Sequence, residues 1–173
     1  MAKTPYPLLC VLLFFISPAP THSQTCIERT YLSQVGVREA TNHNDGKAVE
    51  QYLQCCGLGE GYAWCAAFVK WCLLQCGVHT QGITAWAGTA HNAHNVVFYH
   101  QRFSKPPRAG DVFCLWDYSR GRVAHTGFFH RQVNESFYET VEGNTNEGGI
   151  APIDGVYKHK RSYRATWSIS RWD

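Results

Sequence analysis

Long apolar runs are scarce in this chain. After residue 16 no stretch approaches the roughly 20 apolar residues of a membrane-spanning helix, so the body of the protein reads as soluble. Charge is sparse as well. Charged residues make up 17% of the chain and the formal net charge is +3, too weak an excess to argue for nucleic acid as a partner. No internal repeat is visible, which removes solenoids and propellers. What remains is a chain of 173 residues with 45% hydrophobic content, the composition of an ordinary folded domain.

The first 23 residues have a different character. Lys3 gives a positive start, Leu8 to Ile16 is unbroken apolar sequence, and Ser17 to Ser23 is small, polar and proline-containing. That order is the layout of a secretory signal peptide, with cleavage after Ser23 favoured by the small Thr21 and Ser23. An uncleaved N-terminal anchor is the alternative. A lipoprotein is disfavoured because bulky Leu9 precedes Cys10. We therefore expect a leader over 1–23 and one exported domain over 24–173, secreted or periplasmic. With Lys3 gone, 15 basic residues face 13 acidic ones.

Loss of Cys10 leaves seven cysteines: Cys26, Cys55, Cys56, Cys65, Cys72, Cys76 and Cys114. An exported protein tends to pair its thiols. An odd number leaves at least one without an intramolecular mate, and connectivity among six others is open to fifteen arrangements.

Apolar residues recur at helical spacing over Cys26–Val37, Lys47–Cys56 and Trp64–Cys76, with glycines at 57, 59 and 77 as stops. A looser segment with short helices is expected over Ile83–His100. The second half changes period. Strands are expected over Asp111–Trp116, Val123–His130, Ser136–Glu142, Val156–Arg161 and Ala165–Trp172. Helices first and an antiparallel sheet second give an α+β fold.

Three segments carry the chemistry. In Gly61-Tyr62-Ala63-Trp64-Cys65-Ala66-Ala67-Phe68 a cysteine sits at the start of an apolar helix, where partial positive charge favours thiolate and the N–H groups suit an oxyanion. In Arg122-Val123-Ala124-His125-Thr126-Gly127 an imidazole sits within a strand, a natural base for a thiol. In Val141-Glu142-Gly143-Asn144 a carboxylate ends the next strand. A hairpin centred between Val133 and Asn134 places His125 directly across from Glu142, where the carboxylate would fix the imidazole tautomer. Asn144 is a second orienting group or a substrate contact. Tyr62 and Trp64 flank the nucleophile and line the substrate groove or the core.

Trp64-Cys65-Ala66-Ala67-Phe68-Val69-Lys70-Trp71, Ala109-Gly110-Asp111-Val112, Ala124-His125-Thr126-Gly127 and Glu142-Gly143-Asn144 together resemble the CHAP domain, the cysteine, histidine-dependent amidohydrolases and peptidases. The resemblance runs from about Gly36 to the C-terminus. It implies a papain-like fold, Cys65 as nucleophile, His125 as base, Glu142 as its acidic partner, and Asn144 in the position of an asparagine often found there. It further implies cleavage of an amide bond in bacterial peptidoglycan, with no cofactor. Family members commonly carry Gly-His-Val-Gly where this chain has Ala124-His125-Thr126-Gly127, a change confined to packing around the histidine.

Other signals are weaker. His91 and His94 lack a carboxylate or cysteine in helical register, so no metal site is expected. Asn42, Asn44 and Asp45 read as a turn rather than a calcium loop. Lys158, His159, Lys160 and Arg161 read as a solvated strand end. Asn134-Glu135-Ser136 is a glycosylation sequon with meaning only in a eukaryotic secretory pathway. Competing functions are a secreted thiol protease acting on proteins, a non-catalytic wall-binding module whose Cys65 is locked in a disulfide, and a toxin with an immunity protein as partner.

Overall fold

The computed structural model describes residues 25–146 and 153–172, so the leader expected over 1–23 lies outside the described residues. Three helices come first. α1 (Cys26–Ser33) starts under a Thr25 cap, whose Oγ1 accepts the Glu28 N–H at 3.1 Å. It stops sooner than the apolar spacing suggested, because Gly36 takes a left-handed φ of 102° and turns the chain toward the sheet. Val35, expected on the helix, is instead an exposed residue of that turn. α2 (Lys47–Gln54) buries Val49, Tyr52 and Leu53. α3 (Cys65–Gln75) is buried along almost its whole first two turns, which explains why its sequence is apolar all round rather than striped.

Seven strands form one antiparallel sheet in the order β2-β1-β7-β3-β4-β5-β6. They are β1 (Val96–Tyr99), β2 (Arg102–Phe103), β3 (Val112–Asp117), β4 (Arg122–Gln132), β5 (Phe137–Thr145), β6 (Gly155–Ser162) and β7 (Thr166–Ser170). The fold is α+β, with the helices N-terminal to the sheet. β1 and β2 correct the sequence reading. The segment over 83–100 contains one 3₁₀ turn, Ala87–Ala90, and then this hairpin, whose two-residue tip is His100 and Gln101.

Successive strand residues alternate between two cores. Val112, Cys114, Phe128 and Val141 face the helices, in the core that holds Tyr31, Tyr52, Trp64 and Phe68. Phe113, Phe129, Tyr138, Tyr163 and Ile169 form a second core on the other face. Contact between α3 and β5 is close enough to demand glycine. A Cβ on Gly143 would lie 2.6 Å from the Trp64 ring and 2.9 Å from Phe68.

β4 carries two irregularities. Against β3, Leu115 pairs with His125 but Trp116 pairs with Val123, which leaves Ala124 as an extra residue. Against β5, Phe129 pairs with Thr140 but Arg131 pairs with Glu139, which leaves His130 extra. Such bulges bend a strand and re-aim the side chains beside them. One disulfide ties Cys26 to Cys76. Cys55, Cys56, Cys65, Cys72 and Cys114 are free thiols.

Candidate active site

Cys65 is the first residue of α3, and its residue is 5% exposed. The N-terminus of α3 has no side-chain cap, so its first-turn N–H groups stay available to a ligand. The backbone just before the sulfur is fixed from β5: Asn144 Oδ1 accepts the Trp64 N–H at 3.0 Å. Asn144 has a left-handed φ of 58°, one of the few side chains that tolerate it, and its amide nitrogen reaches Asn44 Oδ1 at 2.9 Å. Asn144 thus fastens the α3 entry to the Asn44 loop and does not touch His125. Trp64, expected at the groove or in the core, is fully buried and donates its indole N–H to Glu39 Oε1 at 2.7 Å. Tyr62 is 56% exposed, so of the two aromatic flanks it is the one on the surface.

His125 and Glu142 meet, but not directly across the ladder. Phe128 pairs with Val141, and the same register carried onward sets Glu142 beside Gly127. The pairing register differs from the expected one by two residues, an even number, so both side chains still share a face. The carboxylate crosses diagonally and reaches His125 Nε2 with Oε2 at 2.7 Å. Gly127 makes that crossing possible. A Cβ there would sit 3.1 Å from Glu142 Cγ and 2.8 Å from Val141 O.

Glu142 is wholly buried and every lone-pair direction that matters is used. Thr140 donates to Oε1 at 2.5 Å, and Arg161 binds both oxygens, Nε at 2.7 Å and Nη2 at 2.5 Å. Burial opposes ionisation, yet the Arg161 fork and the His125 contact outweigh it and hold the carboxyl far below its usual range. Arg161 is the residue that sequence reasoning missed. It sits in the basic run read as solvated, and it pairs with Tyr138 across β5, so it reaches along the sheet rather than across it.

His125 feels three influences. Burial disfavours its charge, but hydrogen bonds to Cys65 and Glu142, and the charges of both, push its pKa up to about 10. Nε2 is committed to Glu142, which leaves Nδ1 for the sulfur. The His125 side chain keeps 20% of its surface exposed, so the couple is open to solvent at the ring. Cys65 is a free thiol, whereas the non-catalytic alternative required it to be locked.

No curated protein and no solved structure matches the chain. A family model described as CHAP domain matches residues 57–144, which takes in Cys65, His125, Glu142 and Asn144. That match covers half of the chain and agrees with the order in which sulfur, imidazole and carboxylate occur along it: the chain belongs to the CHAP domain family.

Proposed function

We propose that the protein is an exported cysteine hydrolase that cuts an amide bond of bacterial peptidoglycan. The observation that carries the reading is His125, held on one nitrogen by Glu142 at 2.7 Å and within electrostatic reach of the free Cys65 thiol at the head of α3.

His125 takes the Cys65 proton, and its raised pKa favours the imidazolium that results. The thiolate attacks the amide carbonyl carbon, and the displaced electron pair becomes an oxyanion facing the uncapped N–H groups of α3. His125 gives its proton to the leaving amine as the C–N bond breaks. The neutral ring then takes a proton from water, the hydroxide attacks the thioester, and the sulfur leaves as thiolate with a carboxylic acid as second product. Glu142 stays ionised throughout and steadies the ring, while Arg161 keeps Glu142 ionised. Asn144 is a positioning residue, since it fixes the backbone before Cys65.

Export is supported by the Cys26–Cys76 disulfide, which belongs to an oxidising compartment, and by the leader-like sequence over 1–23. The test is release of new amino groups from purified sacculi. Wild-type protein releases them and Cys65→Ala loses at least about a thousandfold in rate. Equal rates for the two proteins would remove the thiol from the reaction.

A further inference from the structure

The sheet carries a second concave feature at the end where His125 lies. A cavity of about 480 Å³ is walled by Tyr99, Trp116, Tyr118 and Trp167, with Gln101 and Arg164 also in its lining. The Trp116 and Trp167 ring centroids are 5.9 Å apart at 32°. Tyr99 meets Trp167 edge-on at 5.2 Å and 80°, and His91 braces it at 5.0 Å. Tyr118 is 90% exposed, so one aromatic wall stands free in solvent.

This cavity is built rather than incidental. Cys114 pairs with Ser168 and Leu115 pairs with Thr166, so Trp167 is an extra residue in β7, a bulge that turns its ring out of the ladder. The hairpin tip opposite has two consecutive left-handed non-glycine residues, His100 at φ 46° and Gln101 at φ 64°. Such conformations are unfavourable for residues with a side chain and persist where the surroundings enforce them. Here Gln101 enforces them, because its Nε2 lies 3.1 Å from Tyr163 O and 3.4 Å from Arg164 O. The tip is thereby tied to the segment that carries Trp167.

The cavity is also coupled to the catalytic strand. Leu115 of β3 pairs with His125 on one side and with Thr166 on the other. The two bulges, Ala124 beside His125 and Trp167 beside the cavity, therefore flank the same level of β3. Two strand spacings, roughly 10 Å, separate His125 from the Trp167 side of the sheet.

We propose that this cavity is a saccharide subsite that holds an N-acetylated amino sugar of the glycan strand while the attached amide lies at Cys65. The inference rests on the peptidoglycan reading and adds where the glycan sits. A pyranose has an apolar C–H face that stacks on aromatic rings and a polar rim that needs donors. The indole and phenol walls meet the first need. Arg164 meets the second: its guanidinium has no partner among the described residues, and its donors suit the carbonyl oxygens of acetyl and lactyl groups.

The test is a titration of tryptophan fluorescence in the Cys65→Ala protein with a β-1,4-linked N-acetylglucosamine tetramer, with sacculus hydrolysis by wild type measured in parallel. A saturable change that weakens about tenfold in Cys65→Ala/Tyr118→Ala and in Cys65→Ala/Trp167→Phe supports the subsite. Tyr118 is too exposed for its removal to unfold the chain. No saturable change, or equal affinity in all three proteins, overturns it. Saccharide binding without sacculus hydrolysis would fell the hydrolase reading and leave the cavity its sugar; hydrolysis without binding would do the reverse.

Discussion

β4 carries two histidines beside buried carboxylates, and they behave in opposite ways. His125 meets Glu142 at 2.7 Å and is pushed up to about 10. His130 lies 3.7 Å from Glu28, shares a 3.0 Å hydrogen bond with the Tyr31 hydroxyl, and has its pKa lowered by burial and then by Lys158. Proximity to a carboxylate is therefore not what makes a base. Glu142 is locked ionised by Arg161 and touches the ring; Glu28 has no such fork, and one of its buried oxygens, Oε2, finds no partner. Cys65 adds a second influence that raises His125, whereas at His130 the pull of Glu28 and Glu139 is outweighed by burial and by the charge of Lys158.

The strongest attempt to break the contrast is Glu142→Gln against Glu28→Gln. The first should lower kcat on sacculi by about a thousandfold to ten-thousandfold, the loss typical when the orienting carboxylate of a triad becomes an amide. The second should leave kcat within about twofold. Similar losses in both would mean that Glu142 has no special hold on the ring.

Titration followed by NMR of the imidazole carbons sharpens the same contrast. His125 should stay protonated until the pH nears 10, while His130 should be neutral at pH 7. Because His125 is raised above the ordinary imidazole value of 6.5, the stability drawn from its proton is fully present below that value. It is lost as pH climbs through about 10. Hydrolysis should fall over the same alkaline range. Removing Cys65 as Cys65→Ala should bring the His125 pKa down, since the sulfur is one of the two partners that raise it.

Gly127→Ala should come next in size. The new methyl would crowd Glu142 Cγ and the Val141 carbonyl, costing about 1–3 kcal/mol of stability, seen as a lower Tm, along with a drop in kcat. Arg161→Lys keeps the charge but loses the fork, and about a tenfold drop in kcat with a lower His125 pKa is expected. If only Tm moved, Arg161 would be structural rather than a positioning residue. His130→Phe should be the mildest, with kcat unchanged on sacculi.

α1 and α2 were legible in the sequence because their burial follows a 3.6-residue period and α3 because its apolar run is too long for a strand; Cys65 stood out at a helix start, and His125 and Glu142 as polar groups among apolar strand residues. The β1–β2 hairpin was not. Val96 to Tyr99 is a short apolar run that fits a buried helix turn as well as a strand, and only pairing with β7 decides. The register of β4 and β5 was misjudged because the turn pairs Gln132 with Tyr138, three residues from the expected partner, and the extra residue His130 then brings the offset at Glu142 to two; neither leaves a mark in composition. Arg161 stayed hidden because it is linked to Glu142 across the curvature of a sheet, a relation that linear spacing does not encode. Trp64 and Asn144 were both singled out, yet their partnership through the Trp64 N–H depends on how β5 meets α3.

The Cys26–Cys76 bond has a practical corollary. It closes a span of 50 residues, worth about 4 kcal/mol on a chain-entropy argument, and it fastens the far end of the helix whose near end bears the free thiol of Cys65, the proposed nucleophile. Reagents routinely added to keep sulfur nucleophiles alive would cut this tie. One molecule thus asks for opposite redox conditions at the two ends of a single helix, and handling it well means protecting one sulfur without sacrificing the other pair.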